Sequence, residues 1–147
     1  MKLARTVLSA VVSVDVFVFL KRENLPSTAA WQHALDRLGI DIQLDAGIEA
    51  ASHSGYWPAR LGGQPSGFEI FVGTIADVFG RGAPAGVDER DTVADFVTHS
   101  DMRELQCSMF VAAALGIETD GLIFDDDTEG LMPPTELLEQ ARAIDLS

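Results

Sequence analysis

Only one cysteine, Cys107, occurs in the 147 residues. That excludes an internal disulfide framework and any structural zinc site built on two or four thiolates. Nothing in the chain calls for an oxidising compartment. Basic residues are scarce: 10 Lys and Arg stand against 23 Asp and Glu, a formal net charge of −13. A surface so charged repels phosphate backbones and anionic lipid, which argues against nucleic-acid and membrane partners. Histidine is limited to His33, His53 and His99, with no His-x-x-x-His ligand pair among them. There is no Gly-x-Ser-x-Gly elbow, and the glycine-rich stretch around Gly82 lacks the Lys-Ser/Thr partner of a phosphate loop. Internal repeats and low-complexity segments are lacking as well.

What is present is an apolar share of 47%, ordinary for a globular domain and too high for a disordered chain. The acid is unevenly spread. Residues 1–75 carry six Lys/Arg against seven Asp/Glu, whereas residues 76–147 carry four Arg against sixteen Asp/Glu. A C-terminal half of net −12 attracts cations or a basic protein and speeds their encounter. Solubility alone is the plainer explanation of the same excess.

At the N-terminus, Lys2 and Arg5 precede the apolar run 7–14, which has the look of a secretory leader. Asp15 interrupts that run, no small-x-small cleavage site follows before Lys21, and the run is too short to span a bilayer. Residues 14–20, Val-Asp-Val-Phe-Val-Phe-Leu, read instead as a buried strand that cleavage would destroy. The expectation is a cytoplasmic protein with residues 1–13 as an extension. A periplasmic one follows if those residues belong to a signal peptide.

Further along, Ser27 suits a helix N-cap, with Trp31, Ala34, Leu35 and Leu38 at helical spacing and Gly39 as the stop. Residues 40–44 alternate as a second strand, and 45–55 form a loop. A hairpin is predicted from 56–61 and 67–72 around the turn 62–66; Pro58, lacking an N–H, puts its strand at an edge or breaks it there. Residues 73–90 read as an exposed loop, and 91–98 as a strand. Ser100 or Asp101 then caps the longest helix, Asp101 completing a capping box with Glu104, and that helix ends near Gly116. Residues 121–124 form a short strand, the acidic turn 125–130 leads to a brief return strand, and Pro133 and Pro134 open a last helix. With so few crossover helices, the fold class is α+β: a mostly antiparallel sheet of about five or six strands packed with about three helices, a single domain over 14–147.

Three segments invite chemical readings. Residues 125–136 put carboxylates at loop positions 1, 3, 5 and 12 and Gly130 at position 6, close to a calcium loop. The approach through a β-like Gly-Leu-Ile-Phe run, Glu129 at position 5 and the paired prolines favour an acidic β-turn instead. His53, Ser54 and Tyr56 could belong to a small hydrolase-like site, although adjacent His and Ser side chains rarely meet as base and nucleophile. Cys107, among Leu105, Met109 and Phe110, reads as a small buried hydrophobe. The remaining candidates are acidic: Asp88, Glu89, Asp91 and Asp95 leading into a strand, Asp101 and Glu104 opening a helix, and Asp125, Asp126, Asp127 and Glu129 in a turn. Gathered on one face they would suit the Arg and Lys of a basic partner. Helix capping and solvated turns explain each cluster separately.

The stretches 17–31, 53–58 with 66–69, and 119–125 with Glu129-Gly130 resemble small uncharacterised bacterial proteins of the polymorphic-toxin immunity type. That resemblance spans about residues 14–145 and brings no catalytic residue. It implies a chain beginning near the first strand, a strand–turn–strand at Asp125, and an inhibitor occluding a basic site on a cognate toxin. No cofactor is expected.

Overall fold

Residues 13–99, 101–126 and 130–147 are described by a computed structural model; readings placed on residues 1–12, Ser100 and 127–129 lie outside them. The first strand, β1 (Ser13–Leu20), sends Val14, Val16, Val18 and Leu20 to one side and Phe17 and Phe19 to the other. Both sides are buried, which explains why this segment is apolar nearly throughout. It is flanked by β5 (Thr92–His99) and β6 (Leu122–Asp125), both antiparallel to it. With β2 (Ile42–Leu44), β3 (Gly55–Leu61), β4 (Gln64–Thr74) and β7 (Gly130–Met132), the sheet has seven strands in the order β2-β3-β4-β5-β1-β6-β7. Every pairing is antiparallel, so the fold is α+β as expected, with one or two more strands than foreseen.

Among the described residues, three α-helices supply the second layer. In α1 (Thr28–Arg37) the Ser27 side chain accepts from the Ala30 N–H at 3.1 Å, and Gly39 leaves in the left-handed region (φ 71°). Its Trp31 enters the core against Trp57, Phe68 and Phe96, ring centroids 5.5, 5.8 and 6.1 Å away, and its indole N–H donates to the Val111 carbonyl at 3.0 Å. Gln32 does a second job for this helix. Its side-chain amide donates to Ile42 O (2.7 Å) and accepts from Leu44 N (2.8 Å), occupying the outer hydrogen-bonding groups of edge strand β2.

Helix α2 (Met102–Thr119) is buried without a break from Leu105 to Gly116. Such a helix lies between layers; here it packs against the sheet, α1 and α3 (Pro134–Arg142). Asp101 caps it, accepting from Glu104 N at 3.1 Å. It does not stop at Gly116. A β-carbon there would stand 2.7 Å from Pro134 Cγ, so the glycine permits a close helix crossing, and the helix runs three residues further to Thr119, with Asp120 (φ 53°) as its C-cap.

Two loop expectations also change. The β3–β4 hairpin turns on Gly62 and Gly63 alone, both at positive φ (59° and 79°), the geometry of a tight two-residue turn. Residues 73–90 are not simply exposed. A π-helical turn, Ile75–Phe79, is capped by Thr74 and lays Phe79 over the face of the sheet opposite the helices. Phe79 meets Phe17, Phe19 and Phe124 edge-on at 5.0–5.2 Å, forming a small second core with Val87 and Val93. Pro58 sits where β3 has already lost β2, whose pairing stops at Ala59; the Pro58 carbonyl accepts from Asp45 N instead. Among the described residues, no helix is long and apolar enough to cross a membrane.

Candidate functional site

The helix-free face of the sheet is read most easily across its strands. Register places Glu69 of β4 and Asp15 of β1 on either side of Val97 of β5. One step along, Asp95 stands between Phe71 and Phe17, and Phe124 follows on β6. The next row, Gly73, Val93, Phe19 and Leu122, is that of the second core. The turn carrying Phe79 therefore covers one half of this face and leaves the other half to carboxylates. Asp126, directly after β6, lies at the border: its carboxylate pairs with Arg81, whose guanidinium stacks over the Phe79 and Phe124 rings at 4.3 and 5.2 Å.

Asp95 is the most perturbed acid of this group. Burial beside the aromatic rows, and then the charges of Asp15, Asp126 and Glu69, push its pKa up to about 8. Its Oδ1 is buried with no hydrogen-bond partner among the described residues. Asp15 is raised by the same causes, burial first and Asp126 next, with His99 opposing. His99 Nε2 stands 3.8 Å from Glu69 Oε2 at the far end of the row. At neutral pH the patch thus holds an uncharged Asp95. An arriving cation would let it ionise.

Of the ten acids singled out from sequence, Asp95 and Asp126 come together here. Asp88, Glu89 and Asp91 lie before β5, at the other end of the sheet, among cations. Lys21 pairs with Glu89 (3.1 Å), the backbone N–H of Arg22 donates to Asp91 (2.9 Å), and Arg90 binds the Asp120 carbonyl (2.7 Å). The Arg22 N–H and the Thr92 hydroxyl hold the Asp91 carboxyl below its ordinary range. β5 is eight residues long, so these acids stand roughly 26 Å from the start of α2. Asp101 and Glu104 open α2, where the hydroxyl of Tyr56, the cross-strand partner of Glu69, donates to Glu104 at 3.1 Å. Asp125 pairs with Val16, so its side chain turns into the helix layer and is buried. Asp127 and Glu129 lie outside the described residues.

Asp15 and Glu69 belong to the patch and were not singled out. Their signal was local: each is a lone acid inside an apolar strand, Val14-Asp15-Val16 and Phe68-Glu69-Ile70. In a sheet only one face can tolerate that.

The other chemical readings meet the following geometry. Asp125 and Gly130, positions 1 and 6 of the calcium-like loop, face each other on paired strands as the ends of a hairpin. Among the described residues, no three His, Cys, Asp or Glu side chains assemble to hold a metal ion. His53 Nε2 contacts the Tyr56 carbonyl at 2.8 Å, while the Tyr56 hydroxyl donates to Ser66 O at 2.9 Å as well as to Glu104. Burial and Glu104 raise that phenol to about 12, so it stays a donor. Ser54 is exposed, and among the described residues no hydrogen bond joins it to His53. Cys107 is fully buried, which pushes its thiol up to about 12 and away from the nucleophilic thiolate. No family model, no curated protein and no solved structure matches the chain.

Proposed function

We propose that the chain is a non-catalytic, acidic protein-binding domain whose open sheet face receives basic side chains of a partner. In its finer form it is an immunity-type inhibitor that occludes a basic site on a cognate toxin. One observation carries the reading: Asp15, Glu69 and Asp95 stand on adjacent rows of the three central strands, on the half of the face that the Phe79 turn leaves uncovered. Acids confined to one side of a sheet, beside exposed edges of Phe71 and Val97, offer both charge and apolar contact. The chain's own Arg81, paired with Asp126 over two aromatic rings, illustrates the chemistry such a rim accepts.

Steering by this field is strongest at low ionic strength, since the Debye length is about 10 Å at 0.1 M salt. The test is association with the basic product of the neighbouring gene, followed by stopped flow. Reversing charge at Asp15, Glu69 and Asp126 together should slow association at least about tenfold at low salt. The same reversal at Asp88, Glu89 and Asp91 should change it less than about twofold. Equal effects of the two sets would contradict the assignment of the face.

A further inference from the structure

The molecule has a second feature, remote from the acidic face and opposite to it in charge. Among the described residues, Lys21, Arg37, Arg81 and Arg90 each pair with a carboxylate, whereas Arg22, Arg60, Arg103 and Arg142 do not. Two of those four, Arg103 and Arg142, line one cavity of about 390 Å³ between α2, α3 and the turn after α1. In a chain of net −13, two arginines without carboxylate partners lining one hollow call for an explanation.

The packing that brings them together is specific. Arg103, Gln106 and Phe110 follow at i, i+3 and i+7 on α2, so they share one face of the helix. The Gln106 amide donates to the carbonyls of Ala141 (2.9 Å) and Ile144 (3.1 Å), locking the end of α3 against that face. Arg142, next to Ala141, is thereby held over the same hollow. One of its Nη groups donates to the Leu38 carbonyl at 3.1 Å, which orients the fork and leaves its other donors available. Phe110 and Leu61 supply apolar wall, and Asp41 is the single carboxylate in the lining. The volume lies within the range of small-ligand sites.

We propose that this cavity binds a small organic anion with an apolar body, its carboxylate held by Arg103 and Arg142 and its body resting on Phe110. Arg142 is half committed to Leu38, so Arg103 supplies the second arm of the clamp. A phosphate without an apolar body would forgo the Phe110 wall, and a neutral ligand would forgo the guanidinium pair.

Hydrocinnamate is the probe, titrated into the isotope-labelled full chain and followed at backbone amides by NMR. Hydrocinnamyl alcohol serves as the uncharged equivalent and acetate as the charge without the body. The expected result is saturable shifts at Arg103, Gln106, Phe110 and Arg142, with the alcohol and acetate each weaker by about tenfold or more. Arg103→Met should weaken hydrocinnamate by about tenfold, with the unliganded melting temperature unchanged. Alcohol binding as tightly as acid, Arg103→Met binding like the parent, or shifts that never saturate would each overturn the proposal. The acid–alcohol comparison needs no variant, so it decides the matter even if a substitution perturbs folding.

Discussion

Asp95 costs the fold stability in order to sit where it does. Its pKa is lifted to about 8, first by burial and then by Asp15, Asp126 and Glu69. The native protein therefore keeps a proton that the unfolded chain releases near the ordinary value of 3.8. Between those values the folded state binds more protons, so this residue's contribution to stability falls as pH rises, and the slope levels off above about 8. Asp95→Asn should therefore stabilise the protein, by an amount that grows from pH 5 to pH 8 at up to about 1.4 kcal/mol per unit. Urea unfolding of both proteins across that range measures it. A difference independent of pH would mean that Asp95 titrates normally. A sequence reading could nominate Asp95 as one acid among ten. It could not show that Phe17, Phe71 and the charge of Asp15 surround it, because cross-strand neighbours come from register.

At the scale of elements, strands and helices were legible wherever local chemistry decided them. Ser27 and Asp101 cap the helices they were expected to cap, residues 14–20 form the buried strand expected of them in β1, and the alternation read over 40–44 is real in β2. Apart from the hairpin turn, which shortens to Gly62 and Gly63, the errors share one cause, a glycine or loop whose role depends on a distant partner. Gly116 reads as a helix stop on propensity, yet it lies inside α2 because Pro134 crosses there. Propensity and packing oppose each other at this site. Alanine gains about 1 kcal/mol of helix preference over glycine, but its β-carbon would press to 2.7 Å from Pro134 Cγ, and overpacking costs about 1–3 kcal/mol. Gly116→Ala should therefore destabilise by about 1 kcal/mol or more in chemical denaturation. A stabilised variant would show that α3 shifts freely. The segment 73–90 misled in the same way. Its glycines and Pro84 signal a loop, and nothing local shows that Phe79 will meet Phe17 and Phe124 across the sheet.

Over the whole molecule, the excess of acid in the C-terminal half does not become one surface. Glu89 and Asp91 are answered by Lys21 and the Arg22 backbone, while Asp125 turns inward. The patch on the open face draws instead on both halves of the chain, Asp15 and Glu69 with Asp95 and Asp126. Summing charge along the sequence locates acid by chain position, whereas antiparallel pairing sorts it by strand face. That is why the overall charge pointed towards a basic partner while only part of the site could be named from it. The Arg103–Arg142 hollow lies on the helix side, so a protein on the sheet face and a small anion among the helices would not compete for space.

The account stands most directly on what a cation does to Asp95. Carboxyl-detected NMR can follow its titration with and without a short arginine-rich peptide at saturation. Alone, the midpoint should lie near 8; with peptide bound it should fall by at least about one unit, with the largest shifts at Asp15, Glu69, Asp95 and Asp126. An unmoved midpoint, or peptide shifts concentrated around Asp88, Glu89 and Asp120, would contradict the open sheet face as the binding surface.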